Sequence, residues 1–139
     1  MAAELNHMII PARDKWASAR FLAQVLGLEA RPEWSVFVPV RTGNGVTLDF
    51  AEAEDFRSLH CAFLVSDGEF DAGLARLRKL GIPVYAGFDK SGPGEINHLY
   101  GGRGVYFDDP NGHFFELITR PYAATPERWI DGNAVKSQG

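Results

Sequence analysis

Four residues of this 139-residue chain combine the types and settings that metal chemistry needs: His7, Asp49, His60 and Glu116. Each lies in a short apolar or β-branched run: LNHMIIPA around His7, VTLDF around Asp49, LHCAFLV around His60 and HFFELIT around Glu116. Such runs read as strands, in which successive side chains point to opposite faces. His7 then shares a face with Leu5 and Ile9, Asp49 with Thr47, His60 with Ala62 and Leu64, and Glu116 with Phe114 and Ile118. A carboxylate inside an apolar strand is costly to bury without a partner. Two neutral imidazoles with one or two carboxylates make a donor set for one divalent ion (Zn, Ni, Mn, Fe or Co), with positions left open for a small-molecule substrate. Each residue also has an ordinary structural reading. His7 could be a hydrogen-bonded strand histidine, His60 a residue at the exposed start of its strand, and Glu116 a residue on a sheet face that meets solvent.

The elements that must position these residues can be read around them. Asp14 caps a helix over Lys15–Leu26, whose apolar positions Ala17, Phe21, Val25 and Leu28 fall on one side, with Gly27 as the stop. Strands follow around Ser35–Val40 and Val46–Phe50, joined by the turn Thr42-Gly43-Asn44-Gly45. A further short strand is expected near Leu28–Pro32. The polar stretch Ala51–Arg57 reads as a linker. The pattern then restarts. Leu59–Val65 is a strand with a histidine near its start, and Ser66 with Glu69 fits a capping box. The helix after it places Phe70, Leu74, Leu77 and Leu80 on one face and stops at Gly81. An offset of 53 residues pairs His7 with His60, Asp14 with Asp67 and Ala19 with Ala72. An offset of 54 pairs Leu26-Gly27 with Leu80-Gly81. A strand over Ile82–Ala86 leads into the long Gly-rich loop Gly87–Gly104. Val105–Asp108 and His113–Thr119 are strands around the turn Asp109-Pro110-Asn111-Gly112. The repeat gives β-α-β-β-β twice, as two small antiparallel sheets with helices on one face. The other faces are left to curve round a cavity that receives His7, Asp49, His60 and Glu116.

Composition bounds the rest. The net charge of −4 and the lack of a basic run argue against a nucleic-acid partner. Cys61 stands alone, so no internal disulfide is possible. No apolar run approaches membrane-spanning length, and MAAELNH does not read as a signal peptide. The expectation is a soluble cytoplasmic protein with a single domain over 1–122, modules at about 4–52 and 58–120, and a 123–139 tail with a short helix near Thr125.

Over about residues 4–120 the chain resembles the vicinal oxygen chelate superfamily: glyoxalase I, fosfomycin-resistance thiol transferases, bleomycin-resistance proteins and extradiol dioxygenases. The resemblance lies in Asn6-His7, in His60 and in FDDPNGHFFEL at Phe107–Leu117. It implies an α+β fold of paired βαβββ modules forming a cup-shaped mixed sheet. It further implies metal ligands at His7, His60 and Glu116, with Asp49 at the place of a fourth, carboxylate ligand. Members with one module pair per chain usually form homodimers, in which His7 of one chain joins His60 and Glu116 of the other.

The function expected from this resemblance is a glyoxalase-type lyase, isomerase or transferase that depends on a divalent metal and acts on two neighbouring substrate oxygens. One alternative is an extradiol ring-cleaving dioxygenase using Fe(II) or Mn(II). Another is a non-catalytic drug binder with aromatic walls such as Trp34, Phe37 and Phe114, against which the ligand set argues. Proton transfer would fall to Glu116, His98, Tyr100 or Tyr106. Tyr106 lies ten residues before Glu116 and His98 eighteen, offsets close to those of the acid–base pair of extradiol enzymes. His98 could equally be an exposed loop residue. Arg103 is either an anion contact or a loop clamp, Cys61 points away from His60, and His113 lies on the helix-facing side.

Overall fold

Capping chemistry sets the helix limits. The Asp14 carboxylate accepts from the Ala17 amide at 3.0 Å and starts α1 (Lys15–Leu26), and Gly27 ends it in the left-handed region at φ 69°. In α2 (Asp67–Lys79) the Ser66 hydroxyl accepts from the Glu69 amide, while the Glu69 carboxylate accepts from the Ser66 amide. Capping in the second helix therefore belongs to Ser66, and Asp67, the offset partner of Asp14, is already helical. The strands are β1 (His7–Ala12), β2 (Phe37–Arg41), β3 (Thr47–Glu52), β4 (His60–Leu64), β5 (Val84–Tyr85), β6 (Gly104–Asp108) and β7 (Phe114–Ile118). The computed structural model describes residues 2–122. The helix expected near Thr125 and the rest of the 123–139 tail lie outside the described residues.

The strands form two mixed sheets, ordered β1-β3-β2 and β4-β7-β6-β5. They are not the antiparallel sheets expected, because the outer strand of each module runs parallel to its last one: β1 beside β3 and β4 beside β7. The helical crossover within each module permits that pairing. The strand expected at Leu28–Pro32 is reduced to a single bridge between Ala30 and Val40, so the first sheet has three strands. Leu80 does not join the buried face of α2. It caps the helix end and is 44% exposed, while Phe70, Leu74 and Leu77 are buried.

The chain divides into two compact units. One comprises the residues up to Leu59 with the turn Asp109–His113, the other His60–Asp108 with the residues from Phe114 onward. In the first, α1 packs on all three strands, burying Phe21, Leu22 and Val25 with Ile10, Val38, Val40 and Phe50. In the second, Val105, Phe107, Phe115 and Leu117 are fully buried on one face of the sheet. Tyr106 and Glu116 therefore point to the opposite face.

The turn Asp109–His113 is bound tightly within the first unit. The Asp109 carboxylate accepts from the Ser18 hydroxyl at 2.5 Å and from the amides of Asn111 and His113 at 2.9 and 2.8 Å. The Asn111 side chain donates to the Ser18 hydroxyl and to the Asp14 carbonyl, and accepts from the Asp14 amide. Asp109→Ala leaves three buried donors without an acceptor. Urea unfolding should show a loss of about 3 kcal/mol or more, and Asp109→Asn a smaller one.

Candidate metal and substrate site

The second sheet brings together two of the expected residues. His60 heads β4 and lies opposite Phe114 of β7, and Glu116 follows two residues along β7, opposite Tyr106 of β6. All four share one face. His60 Nε2 stands 3.0 Å from Glu116 Oε1. His60 Nδ1 stands 2.8 Å from the Phe114 carbonyl oxygen. A carbonyl only accepts, so Nδ1 carries a proton and donates it, leaving Nε2 to face the carboxylate. Two lone pairs in apposition need something between them, and either a proton or a cation serves. Two donors about 2.1 Å from one ion and at right angles to each other lie about 3.0 Å apart, so the observed gap fits both.

Glu116 is 8% exposed, which rules out a carboxylate on a solvent-facing sheet surface. Burial pushes the Tyr106 phenol far above its ordinary range, and the Glu116 carboxylate that it hydrogen-bonds pushes it further. Tyr106 is thus a phenol at any working pH and donates to Glu116. The Tyr100 phenol is raised by burial, with Tyr122 and Glu116 adding to it. Tyr100 also holds a left-handed backbone at φ 59°, a conformation that non-glycine residues seldom adopt away from functional loops.

The surroundings are aromatic. His60 packs against Phe88, Tyr106 and Phe114, with ring centres 4.9, 5.9 and 6.1 Å away. The sequence reading missed Phe88. Its signal was an aromatic residue at the very start of a largely polar Gly-rich loop. Lys90 was missed as well. Its ammonium pairs with Asp108 at 2.9 Å and lies over the rings of Tyr85 and Phe114.

His7 and Asp49 lie in the first unit, on one face of its sheet, where His7 pairs with Thr47 and Ile9 with Asp49. His7 is exposed and its Nδ1 is 2.7 Å from the Asn6 side-chain oxygen, which leaves Nε2 free to act as a ligand. Asp49 is 4% exposed and its Oδ1 has no hydrogen-bond partner among the described residues. A buried carboxylate oxygen left bare is expensive, so this donor too fits a cation. Among the described residues, no group of three or more His, Cys, Asp or Glu side chains stands close enough to hold a metal ion.

The remaining candidates separate. His98 is exposed and makes no side-chain cap to the short turn that follows it. Arg103 is a loop clamp: it donates to Asp71 at 2.7 Å and to Asp67 at 3.1 Å, and it covers the Phe70 ring. His113 is structural. It is fully buried, with Nε2 donating to the Pro11 carbonyl at 2.6 Å and Nδ1 accepting from the Leu59 amide. Burial raises the Cys61 thiol above its ordinary range, which makes it a poor nucleophile.

The fold comprises two mixed sheets and two helices, with a histidine–carboxylate pair on one face of the second sheet. The chain belongs to the Glyoxalase/Bleomycin resistance protein/Dioxygenase superfamily, whose family model matches residues 4–117. Among solved structures it is similar to one described as Oxidase ChaP-H2, with 50% identity and a TM-score of 0.85, covering 88% of this chain and 97% of that one. The fosfomycin resistance protein FosX of Mesorhizobium loti matches at 25% identity and a TM-score of 0.67, over 94% of this chain and 99% of that one. Among characterised sequences, glutathione transferase FosA of Serratia marcescens is 28% identical over 131 residues, 89% of this chain and 86% of its relative. No helix of the described residues is long and apolar enough to cross a membrane.

Proposed function

We propose that this protein is a divalent-metal-dependent enzyme that oxidises a small aromatic molecule bearing two neighbouring oxygens, using dioxygen in the manner of an extradiol ring cleavage. The observation that carries the proposal is the His60–Glu116 pair, with its imidazole tautomer fixed and Tyr106 donating to the carboxylate, set among aromatic rings. The 50% identity to a protein described as an oxidase favours oxygen chemistry over the addition and isomerisation chemistry of more distant relatives.

In this reading His60, Glu116 and His7 hold the ion, with His7 supplied by a second copy of the chain. Leu5 and Ile9, which flank His7, are 63% and 53% exposed in the first unit, and Leu64 on the strand of His60 is 59% exposed in the second, apolar side chains that a second copy would cover. The ion supplies Lewis acidity toward the two substrate oxygens and, as Fe(II) or Mn(II), a redox partner for dioxygen. The chain's own residues do the rest. The Phe114 carbonyl aims the His60 ring, Tyr106 orients Glu116, and Phe88 and Phe114 flank the substrate and keep out water. In this reading His98, exposed on its loop, would exchange protons with the substrate hydroxyls. One carbon–carbon bond of the ring breaks, both oxygen atoms enter the product, and no external reductant is consumed.

A second reading, proton transfer or thiol addition without oxygen, draws on Asp49, whose bare buried oxygen would suit a fourth ligand. Reconstitution with Fe(II), Mn(II), Ni(II) and Zn(II) separates the two. Each form is assayed with and without air, against catechols and against thiol hemiacetals. Oxygen uptake with catechols in the Fe(II) or Mn(II) form alone is the expected result. Turnover of hemiacetals in the absence of oxygen would establish the second reading instead.

A further inference from the structure

We infer that Phe88 is the specificity wall of this site and fits it to fused-ring diols in preference to single rings. The inference rests on the proposal above that the substrate is an aromatic diol. Phe88 is 58% exposed, yet its ring meets three rings of the site face. Its plane crosses His60 at 86°, Tyr106 at 77° and Phe114 at 69°. Tyr106 and Phe114 stand nearly parallel to each other at 11°, and His60 lies within 30° of Tyr106. Together these rings form an aromatic corner beside Glu116, in which Phe88 and His60 are exposed, Phe114 is half-buried and Tyr106 is buried. Tyr106 and Phe114, the near-parallel pair, have centres 5.5 Å apart, and the His60 ring, tilted 41° from Phe114, lies 5.9 and 6.1 Å from the two, a longer span than one benzene ring covers.

A phenylalanine left this exposed on a loose loop would rotate away or collapse. Phe88 is held by a closed turn. The Gly87 amide donates to the Ser91 carbonyl at 3.1 Å, the Lys90 amide to the Gly87 carbonyl at 2.9 Å, and the Ala86 amide to the Gly92 carbonyl at 3.2 Å. A Cβ on Gly87 would meet the Ser91 and Asp89 side chains, which would have to shift to make room. Lys90 adopts a left-handed backbone at φ 64° and anchors the turn to the sheet through Asp108. The long Gly-rich loop is, at this end, a turn closed by backbone hydrogen bonds. An exposed phenylalanine ring held beside the His60–Glu116 pair is a surface on which a second fused ring can stack.

The test measures binding of catechol and of 2,3-dihydroxynaphthalene to wild type and to Phe88→Ala, each with Zn(II), which is redox-silent, and without metal. The expected result is that the substitution weakens the two-ring probe about tenfold and changes catechol by less than about twofold, a difference of the size that aromatic stacking supplies. Phe88→Trp should retain the preference. Metal content and particle size should match wild type. Equal weakening of both probes, no weakening of either, or dissociation of the Phe88→Ala protein into monomers would overturn the inference, the last by making Phe88 an interface residue. If zinc changes the affinity for neither probe while Phe88 still sets the ring-size preference, the metal reading fails and the wall stands.

Discussion

Glu116→Ala should bind Fe(II) or Mn(II) at least about a hundredfold more weakly than wild type and still fold. The proposed site of three protein ligands would have little redundancy, and in it Glu116 is both buried and in contact with another proposed ligand, at 3.0 Å from His60. Its removal also frees the Tyr106 hydroxyl, so stability should fall by about 1–3 kcal/mol, the ordinary cost of a buried polar group left unsatisfied. Glu116→Gln separates the two effects. The amide oxygen can still accept from Tyr106, so stability should stay close to wild type, but the charge is gone and metal affinity should fall nearly as far. His60→Ala should match Glu116→Ala in metal titrations. Metal binding at wild-type strength in both alanine variants would remove the pair from the site.

The second large effect concerns sharing of the site between two chains. His7→Ala and Glu116→Ala should each be inactive alone, and mixing the two proteins under conditions of subunit exchange should restore activity. In a mixed dimer one site combines intact His7 from the Glu116→Ala chain with intact His60 and Glu116 from the His7→Ala chain. Equal mixing with free exchange leaves about a quarter of all sites intact, by the two-fold symmetry of the assembly. His60→Ala mixed with Glu116→Ala is the control and should recover nothing, because both residues belong to the same half-site. Recovery in the control, or none in the test mixture from a confirmed dimer, would place His7 in the same half-site as the pair.

Much of this arrangement was legible in the sequence, for definite reasons. Asp14, Gly27, Ser66 and Glu69 set the helix limits because capping is local chemistry, and α1 runs over Lys15–Leu26 as the spacing predicts. Strand alternation placed His60 with Leu64 and Glu116 with Phe114 because each strand buries its other side. What escaped depends on pairing. The parallel partners of β1 and β4 bring together segments far apart in sequence, and no local pattern records that. Leu28–Pro32 was apolar enough for a strand but makes only one bridge, between Ala30 and Val40. The carbonyl that fixes the His60 ring belongs to Phe114, and a backbone acceptor leaves no mark on residue types. Phe88 and Lys90 lay in a stretch whose composition reads as open loop, while its turn is closed by backbone hydrogen bonds.

The central claim is that the His60–Glu116 face serves dioxygen chemistry on an aromatic diol. The most direct measurement loads the protein anaerobically with Fe(II), adds 2,3-dihydroxynaphthalene, admits isotopically labelled dioxygen and weighs the product by mass spectrometry. The account predicts a ring-opened product carrying both atoms of one dioxygen molecule, formed by wild type and absent from Glu116→Ala. Iron-loaded wild type that binds the diol and returns it unchanged, with no oxygen consumed, would contradict it.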